Sequence, residues 1–420
     1  MIKVNKIKAG ALQFVLFIGA VVAVLLLSFV LVSYSHNVFH KKTDVSIAVI
    51  QAADNGLQYS FQQRMLKDTK IAYLPQDNLD IEVEVEKTFW GILEKRTVSA
   101  KKGLFEFKKT VFVGVTNPDK PVLYLKDNQR PLVVAGATKI TGTAYLPKQG
   151  VKMGNIYGNS YYDSKMIFGK QKESTTTLPQ FNQELHSQIL KYTMGYEPQG
   201  EEIKLKTNLI VKNSFSNPTK IIRGSSIRLD KIKLSGNIIV WASHKIEVTA
   251  TAKLNDVILV APKITIAHWT KGNFQALASE SIIVGKGCEL NYPTALVVNK
   301  ASKDNLALKN SNPSILIDAY AQIKGVIMYQ DKNEANRIKP HIKINEHAKV
   351  TGEVYSTQNL ELKGSIYGSA TTNGFLALEN GNIYQNHIYN GTINSELLPN
   401  EYAGISYNNQ TPNQIMKWLY

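Results

Sequence analysis

One long hydrophobic run lies near the start of the chain. No charged residue occurs from Ala9 to Ser35, and Leu12–Val32 is nearly all Val, Leu, Ile, Phe and Ala. At a rise of about 1.5 Å per residue, about 20 such residues cross the hydrocarbon core of a bilayer. The pattern therefore predicts a transmembrane helix over 9–35, after a short basic tail over 1–8. The predicted anchor residues are Leu12, Phe14, Leu16, Val22, Leu26 and Val30.

A secretory signal peptide is the alternative interpretation of this run. Its apolar region would normally span about 7–15 residues and end in a small-x-small cleavage site. Here the run is longer and no convincing Ala-x-Ala follows it, so a retained helix is favoured. Lys3, Lys6 and Lys8 precede the run, and Lys41 and Lys42 follow it. The positive-inside tendency then favours a cytoplasmic N-terminus with the bulk of the chain translocated.

The next segments change from helical to alternating periodicity. Apolar residues at helical spacing predict a helical extension over 36–70. Strict alternation in Ile81–Glu86 and further apolar segments predict a small antiparallel β region over 71–130. Glu82, Glu84 and Glu86 share one strand face. We interpret it as a solvated face rather than a metal site, because no His accompanies the three carboxylates.

Internal repeats begin near Leu132, where short Val and Ile runs are separated by Gly, Asn, Lys and Ser. Residues 140–145 align without gaps on residues 350–355, and the match continues from 154–158 to 364–368 at the same offset. A constant offset over both blocks indicates a duplicated structural module. The repeat positions are Gly142, Tyr145, Gly154, Tyr157, Gly352, Tyr355, Gly364 and Tyr367.

A shorter period runs through the middle of the chain. Ile246, Ile264 and Ile282 are spaced by eighteen residues each, with small-residue corners between short apolar-x-apolar segments. Such units suit coils of a β-helix, in which each inward side chain stacks on its equivalent one coil away. A β-sandwich is the alternative, because short alternating strands serve that fold as well.

The predicted fold is therefore mainly β, with an N-terminal transmembrane helix, a small antiparallel region and a solenoid. Residues 131–160 would form the first coils and 206–396 the remaining ones. Residues 161–205 would leave the solenoid as an excursion, with a helix through His186–Tyr192 capped by Asn182 or Thr177. Residues 397–420 would form an irregular tail, ending in a short helix from residue 413.

Composition and charge narrow the classes of function. The chain of 420 residues carries 49 Lys and Arg against 33 Asp and Glu, a net charge of +16, but only six of the basic residues are Arg. Lys without Arg suits a solvated basic surface better than phosphate or base recognition, so we expect no nucleic-acid partner. The single cysteine, Cys288, excludes a disulfide framework and a multi-cysteine zinc site. We expect it to be a structural thiol at a solenoid corner.

A search for catalytic chemistry finds no recognisable constellation. A β-helix can carry polysaccharide lyases and hydrolases, and glycoside hydrolysis needs two carboxylates facing one cleft. The carboxylates of the predicted coils are scattered, without an Asp-Asp pair, and no zinc motif, nucleophile elbow or phosphate loop is present. We therefore assign no catalytic, cofactor-binding or metal-binding residue, although residues distant in sequence could still assemble a site.

Tyrosines supply the positive indication of a ligand. They cluster in and after the repeated modules and, with abundant Lys, could form a surface for an anionic glycan. The candidates for that surface are Tyr161, Tyr162, Tyr384 and Tyr389. The alternative is a structural ladder in which tyrosines on successive coils stack on one another, and this alternative is preferred.

The N-terminus resembles that of minor pilins and pseudopilins in type II secretion and type IV pilus systems. The shared features are the basic leader, Gly10 before Ala11, and an apolar helix that continues outside the membrane. The resemblance implies processing between Gly10 and Ala11. The sequence departs from the family pattern at Val15, where most members place a Glu.

The repeats over 140–158 and 342–368 resemble the short coils of bactofilin-type polymer-forming proteins. This resemblance implies a scaffold or assembly role. The first hypothesis is therefore a single-pass protein of the bacterial inner membrane, with its bulk in the periplasm or at the cell surface, that serves an assembly role with envelope or secretion-system proteins. The alternatives are a membrane-anchored polysaccharide-active enzyme and a carbohydrate-binding or adhesive module.

Overall fold

The computed structural model describes residues 10–75, 80–195, 197–300, 312–331, 338–407 and 410–419. The protein is mostly β, with about 50% of residues in strands and 16% in helices, which confirms the predicted fold class. The two helices are α1 (Gly10–Phe61) and α2 (Gln183–Thr193). The strands up to α2 are β1 Thr69–Tyr73, β2 Glu82–Trp90, β3 Leu93–Lys102, β4 Phe105–Gly114, β5 Leu123–Leu125, β6 Leu132–Ala135, β7 Lys139–Thr141, β8 Ala144–Leu146, β9 Val151–Met153, β10 Asn155–Ile156, β11 Asn159–Ser160 and β12 Gln171–Glu173.

Most of the strands after α2 form the long part of the solenoid, whereas the last one, β29 (Gln414–Leu419), belongs to the small sheet. The others are β13 Glu201–Glu202, β14 Ile210–Asn213, β15 Lys220–Leu229, β16 Lys233–Gly236, β17 Ile238–Val248, β18 Lys253–Ile266, β19 Lys271–Val284, β20 Glu289–Lys300, β21 Ile315–Ile317, β22 Gln322–Asp331, β23 Ile342–Ile344, β24 Lys349–Leu362, β25 Ser365–Glu379, β26 Asn382–Gln385, β27 His387–Tyr389 and β28 Thr392–Asn394.

The chain divides into two compact units, and the first contains residues up to Tyr59 together with Ile71–Val85 and Val98–Lys108. Helix α1 is continuous through the boundary that we predicted between membrane span and extension, and it ends at Phe61 rather than near residue 70. Near its end, residues at helical spacing become buried, because this face packs on strands of the small sheet. A Cβ added at Gly56 would lie 2.5 Å from Val83 Cγ1, so glycine allows a close approach there.

The second unit contains the rest of the chain, including the last strand of the small sheet. That sheet has the order β1-β2-β3-β4-β29. The predicted helix from residue 413 is wrong, because β29 pairs antiparallel with β4, with Trp418 opposite Val111 and Leu419 opposite Thr110. The backbone groups of β4 would otherwise form an open edge, and pairing with β29 satisfies them.

The solenoid is built from parallel ladders, as the eighteen-residue period predicts. Ile246 pairs with Ile264, and Ile264 pairs with Ile282, in successive coils. The coils bend between short extended segments, as in β18, where the register shifts near residues 256 and 262. The inward side chains of all coils merge into one hydrophobic core. Parallel pairing between coils also excludes the sandwich alternative, which requires two antiparallel sheets.

The order of the coils in space differs from their order in the sequence. Val350 pairs with Ile366, Ile366 with Ile393, and Ile393 with Ile140. The segment containing β5–β8 therefore follows the C-terminal coils in one continuous stack. The prediction that early and late segments form similar coils is confirmed, and the two duplicated strands lie three coils apart.

The second half of the duplicated window is not equivalent in structure. Residues 365–368 lie within β25, which pairs in parallel with β24. The matching residues 155–158 instead form β10 and a turn, and β10 pairs antiparallel with β11. Tyr157 has a φ of +49° in that turn. The predicted equivalence of Gly154 and Tyr157 with Gly364 and Tyr367 is therefore wrong, because a hairpin replaces the solenoid strand there.

The excursion supplies an outer layer to the solenoid. Asn182 caps α2, and its Oδ1 accepts a hydrogen bond of 2.9 Å from the Glu184 backbone N–H, which confirms one of the two predicted caps. The buried face of α2 belongs to a second hydrophobic cluster, which includes Ile189, Leu277 and Val297. The outward face of these coils is thus apolar and is covered by α2.

Candidate functional site

The predicted anchor residues lie on the exposed part of α1. This helix is long and apolar enough to cross a membrane, and its most apolar window has a mean hydropathy of 3.2 with none of it buried. An unburied apolar surface of this size is unfavourable in water and suits a lipid environment. Gly10 and Ala11 form the exposed first turn of the helix.

The repeat glycines mark a corner where adjacent coils approach closely. Gly142, Gly352 and Gly368 have φ values of +127°, +138° and +144°, which side chains rarely adopt. An added Cβ at Gly352 would lie 2.0 Å from the carbonyl oxygen of Gly325. Gly364 contacts backbone too, since a Cβ there would lie 2.4 Å from the Ala348 oxygen. These glycines are therefore structural.

The repeat tyrosines form only a partial ladder. Tyr355, Thr371, Tyr124 and Tyr145 follow one another in register across four coils. The rings of Tyr124 and Tyr145 stack with their centroids 5.5 Å apart, while Thr371 separates them from Tyr355. Tyr367 belongs to another column, with the Lys349 ammonium 4.8 Å from its ring centroid.

The four tyrosines proposed for a glycan surface do not share one environment. Tyr161 is buried, and its hydroxyl donates a 2.6 Å hydrogen bond to the Lys165 carbonyl, so its ring is not available to a ligand. Tyr162 is 74% exposed. Tyr384 lies against Tyr157, with ring centroids 6.4 Å apart. The fourth, Tyr389, is half-buried.

Cys288 lies inside a corner of the solenoid, as the sequence predicted. It is fully buried, and its thiol donates to the Ala267 carbonyl at 3.0 Å. Burial raises the pKa of the thiol, which keeps it protonated and unreactive near neutral pH.

A groove of about 1150 Å³ lies in the second unit and is lined by the last residues of β20 and β22 and by parts of β24 and β25. We call this cavity the amide groove, because ten of its 24 lining residues are Asn or Gln. These ten residues are Asn128, Gln180, Gln183, Asn299, Gln330, Gln358, Asn359, Asn373, Gln385 and Asn386.

Successive coils place these amides beside one another. Asn299 is in register with Gln330 in the next coil. Asn128, which follows β5, donates from Nδ2 to the Asn373 carbonyl at 2.6 Å, so the early and late parts of the chain meet in this wall. The opposite wall consists of the segment that leads into α2 and the first turns of that helix.

Two buried aromatic rings form part of the floor of the amide groove. Phe181 and Tyr355 have ring centroids 4.2 Å apart. The Tyr355 hydroxyl donates to the Pro179 carbonyl at 3.2 Å, and burial raises the pKa of this phenol. The floor is therefore apolar and neutral, while the walls are more polar than those of a typical small-molecule site, which is lined mostly by hydrophobic and aromatic side chains.

The charged lining residues do not form a hydrolytic pair. Lys126 and Arg130 are the cations nearest the amide walls, and Asp331 is the only carboxylate among the described lining residues. The Tyr329 hydroxyl donates to Asp331 Oδ2 at 3.1 Å. Glycoside hydrolysis requires two carboxylates across the cleft, and the described residues do not supply the second. Nor do they place three His, Cys, Asp or Glu side chains where they could hold a metal ion.

The sequence did not reveal the amide groove because its residues come from several distant segments. Asn373 and Asn128 are 245 positions apart in the chain. One sequence feature could have indicated the groove, namely the recurrence of Asn, Gln and Thr in three short segments of the repeats. These segments are 356–359, 371–373 and 385–386. Recognising that signal required the coil order, which the sequence did not provide.

Fold and site together define a parallel β-solenoid protein with an N-terminal apolar helix and a polar groove on one solenoid corner. No protein-family model, curated protein or solved structure matches the chain. The resemblances to pilin-type N-termini and bactofilin-type coils therefore remain predictions.

Proposed function

We propose that this chain is a single-pass membrane-anchored protein of the bacterial envelope whose solenoid binds a polysaccharide in the amide groove. The observation that carries the proposal is the lining of that groove, with ten amide side chains over an apolar floor. An amide side chain has one acceptor oxygen and two donor hydrogens. Asn128, Asn299 and Asn386 already use donors within the protein, and their side-chain oxygens can still accept. This combination matches the alternating donor and acceptor character of sugar hydroxyl and acetamido groups.

The shape and charge of the groove support a chain-like ligand. A volume of about 1150 Å³ exceeds the range of about 300–1,000 Å³ that is typical of small-molecule sites. Lys126 and Arg130 against Asp331 leave a positive balance among the described lining residues. That balance also suits acidic sugars, which the Lys-rich composition had suggested as one possible ligand.

The location of the protein is part of the same proposal. The unburied apolar window of α1 supports insertion in a bilayer, and the basic tail supports a cytoplasmic N-terminus. The solenoid would then lie outside the cytoplasm, where polysaccharides of the envelope are accessible.

The test is calorimetric titration of the detergent-solubilised full chain with chitohexaose, a neutral N-acetylated probe, and with an alginate hexamer, an acidic probe. The double variant Gln180→Ala/Gln183→Ala removes two exposed amides from the wall beside α2. The matched control is Ser187→Ala, an exposed position on the same helix that does not line the groove. We expect the double variant to weaken binding by about tenfold, equivalent to about 1.4 kcal/mol, and the control to bind as the wild type does. Absence of binding for both probes, or equal binding by the double variant, would contradict the proposal.

A structural role in a pilin-like apparatus is the second candidate. It is favoured by the continuity of α1, which runs on to Phe61, well past the end of the apolar run at Val32. Mass spectrometry of the mature N-terminus tests it: a chain beginning at Ala11 supports pilin-type processing, and a chain that retains Met1 contradicts it.

A further inference from the structure

A second corner of the solenoid carries an exposed row of aromatic side chains. At this corner, Trp269, Gly287, Tyr320 and His347 occupy equivalent positions in four successive coils. The equivalence follows from the pairing of the residues that lie two positions after each of them in the chain. Lys271 pairs with Glu289, Glu289 pairs with Gln322, and Gln322 pairs with Lys349. We call Trp269, Tyr320 and His347 the aromatic ridge.

The backbone at this corner makes aromatic residues an unexpected choice. Trp269, Tyr320 and His347 have φ values of +63°, +62° and +62°, in the left-handed region that favours Gly and Asn. Gly287 at the same position has a φ of +67° and shows the residue that the turn itself favours. Bulky residues held in this region are often kept for function rather than for the fold.

The rings are arranged as a flat and accessible strip. The Trp269 ring covers Gly287, where an added Cβ would lie 2.2 Å from Cζ3. Tyr320 and His347 stack with centroids 4.9 Å apart and planes 19° apart. Trp269 is 61% exposed and Tyr320 is 52% exposed. With about 4.8 Å between neighbouring coils, the strip extends over about 14 Å along the solenoid.

We propose that the aromatic ridge is a second binding surface, on which a linear polysaccharide stacks the apolar C–H faces of its pyranose rings. This inference concerns residues outside the amide groove and does not depend on what that groove binds. The Lys286 ammonium lies 5.4 Å from the Tyr320 ring centroid. It places a cation beside the stacking faces, where a carboxylate or sulfate of an acidic sugar can pair with it.

The dimensions of the ridge favour a polysaccharide over a protein partner. A stable protein interface buries at least about 1,000 Å² around a broad apolar core. The ridge is one side chain wide. The position before it in each coil includes the exposed Lys286 and Glu346, and the position after it is buried in all four coils. A narrow, straight row of aromatic faces with a polar border suits a thin chain that offers one apolar face per residue.

Tryptophan fluorescence of the full chain in detergent tests the inference, with chitohexaose and an alginate hexamer as separate probes. Of the chain's four tryptophans, Trp90 is buried, Trp418 lies 3.6 Å from the Lys109 ammonium, and Trp241 is half-buried under Arg223. Trp269 is thus the tryptophan most open to a ligand. We expect a saturable change in emission, and Trp269→Gly should abolish it. Retention of the chain on the same immobilised probe should weaken by at least about tenfold in Trp269→Gly and in Tyr320→Asn.

Both substitutions suit the left-handed backbone, so we expect an unchanged or higher melting temperature in each variant. Lys231→Asn is the matched control, because Lys231 is exposed and has a φ of +51° but contributes no ring. This variant should bind as the wild type does.

If Trp269→Gly lowers the melting temperature, the retention of Tyr320→Asn on the immobilised probe becomes the test of the inference. Unchanged retention of Tyr320→Asn, or loss of retention only in the groove variant Gln180→Ala/Gln183→Ala, would overturn the inference. If the ridge variants lose retention on alginate alone, the ridge binds acidic polysaccharides. If they lose retention on chitohexaose, the ridge binds neutral ones.

Discussion

Replacement of Gly352 by alanine should destabilise the solenoid more than replacement of an ordinary turn glycine. Its φ of +138° lies where only glycine is comfortable, which costs about 1–3 kcal/mol for alanine. The new Cβ would also lie 2.0 Å from the Gly325 oxygen and 2.7 Å from the Tyr402 hydroxyl. Relief of such overpacking costs about a further 1–3 kcal/mol. The free energy of unfolding should therefore fall by about 4 kcal/mol.

Thermal unfolding of the full chain in detergent, followed by circular dichroism, measures this effect. For a chain of this size, about 4 kcal/mol corresponds to a loss of roughly 5 °C in melting temperature. Gly150→Ala is the matched control, because Gly150 has a φ of +70° and nothing lies within 4 Å of an added Cβ. It should lose only about 1 kcal/mol from the left-handed backbone. Equal losses in both variants would refute the reasoning, because they would show that neighbouring coils separate without cost.

Three further predictions follow from buried polar groups. Cys288 should not react with a thiol reagent at pH 8 until the chain is unfolded in urea, because burial shields the thiol and raises its pKa; fast reaction of the native chain would contradict this. Burial raises the pKa of Glu361 despite its contact with Lys343. As the pH rises, the Glu361 carboxyl group therefore loses its proton at a lower pH in the unfolded state than in the folded state. The free energy of unfolding should then fall as the pH rises above about 4.3, the ordinary pKa of Glu. Glu361→Gln should show a shallower fall in urea titrations between pH 4 and 7, and an identical slope would argue against the shift. Lys87 is 5% exposed and lies 2.5 Å from Glu184, so Lys87→Met should lose about 3 kcal/mol. Adding Glu184→Gln should restore part of that loss, and strictly additive losses would show that the pair is not coupled.

Local patterns predicted those parts of the fold whose interactions are local or periodic. The eighteen-residue spacing of Ile246, Ile264 and Ile282 identified the coils, because inward residues must recur once per coil. Asn182 identified the start of α2, because a cap acts within three residues of itself. The long apolar run identified α1 by its length and composition alone.

The remaining features depend on partners that are distant in sequence. The segment from Gln414 has apolar residues that suit either a helix or a strand, and the open edge of β4 decides for a strand. The amide groove and the aromatic ridge each require knowledge of which corners are neighbours. The alignment of Trp269 with Tyr320 spans an insertion that breaks the eighteen-residue period, because Ile282 pairs with Ile315.

The order of the coils also constrains the time at which the solenoid can form. Leu123 pairs with Ala370, 247 positions later in the chain. During synthesis, strand β5 must therefore remain without that neighbour until nearly the whole chain has emerged. Closing a loop of this length costs conformational entropy before any contact is gained, and this cost slows folding. The early coils can therefore be completed only late in synthesis, and a C-terminal truncation that removes β25 should affect them as severely as the strands it removes.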